Sequence, residues 1–204
     1  MQNIVAGRFN AFPGVLARLC GAVLVVGTVL MLSGCGGRPI GVMQPTGQQL
    51  PGTTAVDLLV ATTRAPSEDT AILFTGERGT GLRVDAVKVS IPPEANRKVG
   101  QVQWPEKLPG NPVRDFTTVS VDPIESAAES SAWVHRHLPA NRRVMVFVHG
   151  FNNRYEDAVY RFAQIVHDSH AEVTPVVFTW PSRASIFDYN YDKESTNYSR
   201  DALE

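Results

Sequence analysis

The chain of 204 residues carries 19 Lys+Arg against 20 Asp+Glu, and 43% of it is hydrophobic. That is enough apolar material for a genuine core, and too balanced a charge for a protein that neutralises a phosphate backbone, so nucleic acid is not an expected partner. With 19% charged and 8% aromatic residues the composition is not that of a disordered chain, and two cysteines, Cys20 and Cys35, cannot build a disulfide framework or a tetrahedral zinc site.

Residues 1–35 hold Arg8 and Arg18 and no acid, and the stretch from Leu19 to Leu32 is uncharged. That run falls short of the ~20 residues needed to span a bilayer and suits the apolar region of a secretory signal. It closes on Leu32-Ser33-Gly34-Cys35, which resembles a bacterial lipobox. The resemblance implies a signal peptide over 1–34, a mature chain starting at an acylated Cys35, and the membrane as partner. The expected location is the bacterial cell envelope, at the outer membrane or the periplasmic face of the inner one. A cleaved signal or an amino-terminal anchor with an incidental cysteine is the alternative. Gly, Pro, Gln and Thr dominate residues 35–54, which read as a flexible tether.

Residues 55–121 read as strand-rich. Ala55 to Thr63 is a strand stopped at Pro66; Val87, Val89 and Ile91 alternate with Lys88 and Ser90; Val99–Trp104 and Phe116–Val121 are weaker strands. At Asp122-Pro123-Ile124-Glu125 a cap residue, a proline and an acid signal a helix start, with Ile124, Ala127, Ala128, Ser131, Val134 and Leu138 on one face. Arg143 to Val148 is the near-continuous apolar run of a strand buried on both faces. Tyr155–His170 is a helix burying Ala158, Val159, Phe162, Ile165 and Val166, and Val173–Trp180 is the next strand. Strand, loop, helix, strand at this spacing is a βαβ unit, so the fold class is α/β from 122 onward, with a mostly parallel sheet.

Ligands in open α/β sheets sit beyond the carboxyl ends of the strands. Two such ends occur, His149-Gly150-Phe151-Asn152-Asn153-Arg154 and Trp180-Pro181-Ser182-Arg183. The first leads into a helix amino terminus, where backbone N–H groups face a developing negative charge, as an oxyanion hole requires.

Val146 to Asn153, Phe178 to Arg183, Tyr191-Asp192 and Tyr198 to Leu203, with Ala61-Thr62-Thr63-Arg64, Val89 to Pro93 and Asn111-Pro112 upstream, together resemble the bacterial α/β-hydrolases of uncharacterised function, which are esterase- or lipase-like. The resemblance implies serine-esterase chemistry on an ester or acyl substrate without a cofactor. The oxyanion donors would come from Gly150 and Phe151, and His149, Asn152, Trp180, Ser182, Arg183 and Tyr191 would be placed near the pocket. It also implies a nucleophile elbow, an acid and a histidine after Glu204, so 122–204 is expected to be an incomplete hydrolase domain, inactive by itself. A non-enzymatic, lipid-anchored scaffold or binding module is the alternative.

Lesser candidates read as structural. A Ser182–His149 pair lacks a residue to orient the base. His167 and His170 suit the carboxyl end of a solvated helix better than a metal site.

Overall fold

A computed structural model describes residues 39–203. The expected signal peptide, Cys20 and Cys35 lie outside the described residues. Strands β1 (Thr54–Pro66), β2 (Phe74–Ile91), β3 (Thr117–Ile124), β4 (Val144–Val148) and β5 (Thr174–Thr179) form one sheet in the order β3-β2-β1-β5-β4. Three helices accompany it, α1 (Ala127–His137), α2 (Tyr155–Ser169) and α3 (Tyr189–Leu203). The fold is α/β, but the sheet is mixed rather than mostly parallel. β1–β5 and β4–β5 are parallel, whereas β1–β2 and β2–β3 are antiparallel. The strand-rich stretch and the βαβ unit therefore share a single sheet, joined where Leu59 pairs with Val176 and Thr62 with Thr179.

β1 is the central strand, and its continuous apolar run follows from that position. Leu58 and Val60 are fully buried on one face and Leu59 is buried on the other. α2 lies on the first face, and its Tyr155, Val159 and Phe162 pack among Leu58, Val60, Val87, Val89 and Val177. Each such side chain stabilises the fold by roughly 1.5–3 kcal/mol through the area it removes from water. His170, in the left-handed conformation, ends α2.

Five expectations need correction. β4 is an edge strand, so only Met145 and Phe147 turn inward, Phe147 stacking on Phe162 with ring centroids 5.1 Å apart; Val144, Val146 and Val148 are exposed. The helix does not begin at Asp122. Asp122 and Pro123 still pair with β2, because proline is tolerated at the end of an edge strand, and Ser126 caps α1 by accepting the Glu129 N–H at 3.2 Å. Trp133, not the small residues of the expected face, is the buried residue of α1.

Val99–Trp104 forms no strand. It is an irregular segment tied down by the Gly100 N–H to Asp168 Oδ2 (2.6 Å) and by Trp104 stacked on Tyr160. Finally, the part of the expected tether from residue 39 on packs against the sheet. Val42 and Met43 are buried in the core, and the N–H groups of Thr46 and Gly47 donate to the carbonyls of Thr118 and Val119 on β3. Two apolar residues amid glycine and proline were enough to anchor it.

Candidate functional site

The site is built where β1, β4 and β5 end. The β1–β2 register breaks on both sides of Arg64, and this irregularity turns the Arg64 side chain into the protein, where it is 1% exposed. Its guanidinium fans out to four segments. Nε donates to Thr179 Oγ1 (3.1 Å), Nη1 to the carbonyls of Thr75 (3.2 Å) and Ser182 (3.1 Å), and Nη2 to the Asn153 carbonyl (2.8 Å) and toward His149 Nε2 (3.3 Å). Burial lowers its pKa to about 10, opposed by the charges of Glu156, Asp192 and Asp157, so it is a cation at neutral pH. Glycine at 79 lets the two strands close here, since a Cβ there would lie 2.6 Å from the Arg64 carbonyl.

His149, 5% exposed, follows β4. Its Nδ1 lies 2.7 Å from the Gly150 carbonyl, and its Nε2 faces the Trp180 N–H at 3.2 Å as well as Arg64. The Trp180 carbonyl also lies 3.1 Å from Nε2. Two donors converge there against one acceptor, which assigns the proton to Nδ1 and leaves Nε2 an acceptor. Burial, then the Arg64 charge, pushes the imidazole pKa down to about 4, consistent with that neutral form. The ring stacks on Trp180 at 4.6 Å, and the indole N–H donates to the His149 carbonyl (2.9 Å). His149 is thereby a positioning residue that locks the β4–α2 loop to the end of β5.

A second clamp comes from α3. Asp192, fully buried, accepts the Asn152 N–H (2.9 Å) and the Ser182 hydroxyl (2.6 Å) on Oδ2, and the Arg183 N–H (3.0 Å) on Oδ1. The Ser182 oxygen in turn accepts the Asn153 N–H (3.1 Å). Asn152 takes a left-handed conformation (φ 59°), which asparagine tolerates better than most residues. One carboxylate therefore fixes both loops. Ser182 and His149 are not a nucleophile and its base: the serine proton points to Asp192, and both imidazole nitrogens are engaged elsewhere.

Between these loops and α3 lies a cavity of about 510 Å³. Val148, Phe178, Trp180, Tyr189 and Leu203 give it apolar walls, and Lys193 and Arg200 of α3 also line it. Gly150 and Phe151 border it, and the Phe151 N–H has no acceptor among the described residues. A Cβ added at Gly150 would meet nothing within 4 Å, so the space before this backbone is open. Of the residues placed near the pocket from sequence, His149 and Trp180 line it, but Asn152, Ser182, Arg183 and Tyr191 do not. Asn152 and Ser182 belong to the Asp192 clamp behind it. Arg183 stacks over the Tyr191 ring (3.8 Å) and pairs with Glu77, bracing the start of β2 at the surface.

Residues 126–204 match the model of a family described as alpha/beta hydrolase of unknown function (DUF900). Over that segment the chain is similar to α/β-hydrolases, and its α/β architecture agrees with the likeness. No curated protein and no solved structure matches it. The hydrolase match begins at the Ser126 cap and takes in β4, α2, β5 and α3, the elements that carry Phe151, His149 and Asp192. Arg64 reaches the same site from β1, outside the matched segment.

Sequence reasoning missed Arg64 and Asp192 as organisers of the site. A single arginine closing an apolar strand just before a proline was the available signal for Arg64. Nothing local distinguishes Asp192 from the other acids of α3. His167, expected at a solvated helix end, is instead held in a polar cluster, with Arg97 Nη1 at 2.9 Å from its Nδ1 and Asp168 beside it.

Proposed function

We propose that this chain builds the oxyanion-binding and acyl-binding half of an ester-hydrolysing site of the serine-esterase type, held at the bacterial cell envelope by lipid on Cys35. The observation that carries the site reading is the Phe151 N–H, unpartnered among the described residues and bordering an apolar cavity, on a loop that Arg64 and Asp192 hold rigid. An oxyanion donor stabilises the transition state because it is oriented before charge develops, and truncation of one such donor typically costs 10²–10³-fold in rate. The cavity walls suit a hydrocarbon acyl group, and its volume falls in the range of small-molecule sites.

The attacking serine of such chemistry is not Ser182. Residues 39–203 by themselves are expected to give no turnover of p-nitrophenyl butyrate above that of Ser182→Ala. Turnover that Ser182→Ala abolishes would contradict this assignment. The anchoring rests on Leu32-Ser33-Gly34-Cys35 behind a basic and then apolar stretch. Labelled palmitate should enter the chain in bacterial cells and disappear in Cys35→Ser, which should also free the protein from the membrane fraction. Unchanged fractionation and no label in the wild type would remove the anchor from the account.

A further inference from the structure

A second cavity, of about 550 Å³, lies beside the β2–β3 pairing, and no residue of the site above lines it. Phe74, Leu82, Val121 and Pro123 are among its walls, and its two acids are Asp85 and Glu125. Asp85 is the unusual one. Side chains 85, 87, 89 and 91 alternate onto one buried face at this end of β2, where Ser90 is buried as well, and the last three are Val87, Val89 and Ile91 of the core. Strand periodicity therefore places a carboxyl where an aliphatic residue would pack.

It is 6% exposed, and its Oδ2 has no hydrogen-bond partner among the described residues. A buried carboxyl without a partner is costly, and such groups are normally paired. Three charged or titratable groups act on it or feel it. Arg83 attracts it, Glu125 repels it, and Tyr155, whose own hydroxyl is unpartnered, senses its charge.

We propose that this cavity binds a small organic ammonium compound, its cationic head on the Asp85 carboxylate and its hydrocarbon body against Leu82, Val121 and Phe74. An ammonium group supplies the positive charge and the donors that this carboxylate lacks, and Thr70, Thr80 and Arg83 line the cavity beside the carbon walls. Asp85 and Glu125 together outweigh Arg83, the one cation that lines the cavity, and favour a cation over an alcohol of the same shape. The proposal is independent of the hydrolase reading, since it shares no residue with that cavity.

The test titrates the full chain with phenethylammonium, followed by calorimetry, with 2-phenylethanol as the uncharged control. The ammonium is expected to bind saturably and at least tenfold more tightly than the alcohol. Asp85→Asn, which removes a buried charge while keeping the shape, is expected to weaken it at least tenfold. Equal binding of the alcohol, equal binding to Asp85→Asn, or no binding of the ammonium would overturn the proposal. If Asp85→Asn does not fold, the wild type decides: nuclear Overhauser contacts from the probe ring to the Leu82 and Val121 methyls support it, and contacts elsewhere refute it.

Discussion

Replacing Arg64 with methionine, a side chain of similar length and no charge, tests what holds the two loops together. The guanidinium supplies donors to three backbone carbonyls, those of Thr75, Ser182 and Asn153, and none of these carbonyls gains a substitute donor from methionine. Thr179 Oγ1 and His149 Nε2 fare better, because Thr62 Oγ1 (2.9 Å) and the Trp180 N–H remain beside them. An unsatisfied buried acceptor costs about 1–3 kcal/mol, so the gross loss is roughly 3–9 kcal/mol. Removing a cation that is itself expensive to bury returns several kcal/mol of that. The expected net destabilisation is about 3 kcal/mol, a fall in Tm of roughly 6–12 °C for a domain of this size.

Urea unfolding followed by tryptophan fluorescence is the suitable assay, because Trp180 stacks on His149 and reports the loop as well as global unfolding. Arg64→Lys should recover only part of the loss, since one ammonium cannot replace a planar fork that reaches four segments. A loss below about 1 kcal/mol for methionine, with the native Trp180 emission unchanged, would refute the view that Arg64 organises these loops.

Ser182→Ala leaves Asp192 and the Asn153 N–H each one partner short and is expected to cost about 1–3 kcal/mol in urea denaturation, with no specific effect on any ester turnover. Gly76→Ala should be more disruptive than its size suggests, because the new Cβ would lie 2.8 Å from the Ser182 carbonyl and 2.9 Å from Arg183 Cα; crystallography or amide shifts should show the β5–α3 loop displaced. The pH dependence has two opposed contributions. His149 titrates near 4 when folded against 6.5 as a free side chain, so its share, about 3 kcal/mol, is present above 6.5 and lost as pH falls toward 4. Burial raises Asp85 to about 6 from 3.8, so its share of similar size is present below 3.8 and lost as pH rises toward 6, and Glu156, also raised by burial, acts in the same sense. Stability measured from pH 4 to 6 should therefore vary little in the wild type and rise with pH in Asp85→Asn. A wild type already rising as steeply as the variant would contradict the Asp85 contribution.

The βαβ unit was legible because its signals are local. The apolar face of Tyr155–Ser169 repeats at helical spacing, and Val173–Trp180 is bounded by a proline and a polar turn. What the sequence hid was pairing at long range. Nothing in β1 announces β5 as its parallel neighbour more than a hundred residues on, and that pairing turns two expected regions into one sheet. β4 was misread for a related reason, since an apolar run looks the same at the centre of a sheet and at its edge. The place of Phe151 and Gly150 on the loop after β4 was legible because a strand, a glycine and a helix start follow one another in the chain. The Arg64 and Asp192 clamps were not, because each acts on loops far away in sequence and declares itself only when strand ends converge.

In the proposed site the Phe151 N–H is held open to the oxyanion that an acyl group develops. Its amide signal should be followed by heteronuclear NMR while the chain is titrated with hexanoate, whose carboxylate oxygens imitate the charge an oxyanion develops and whose tail suits the cavity. The account predicts a saturable downfield shift of the Phe151 amide proton, accompanied by Val148 and Leu203 methyl shifts and diminished in Arg64→Met. An unmoved Phe151 amide at saturating hexanoate would contradict it.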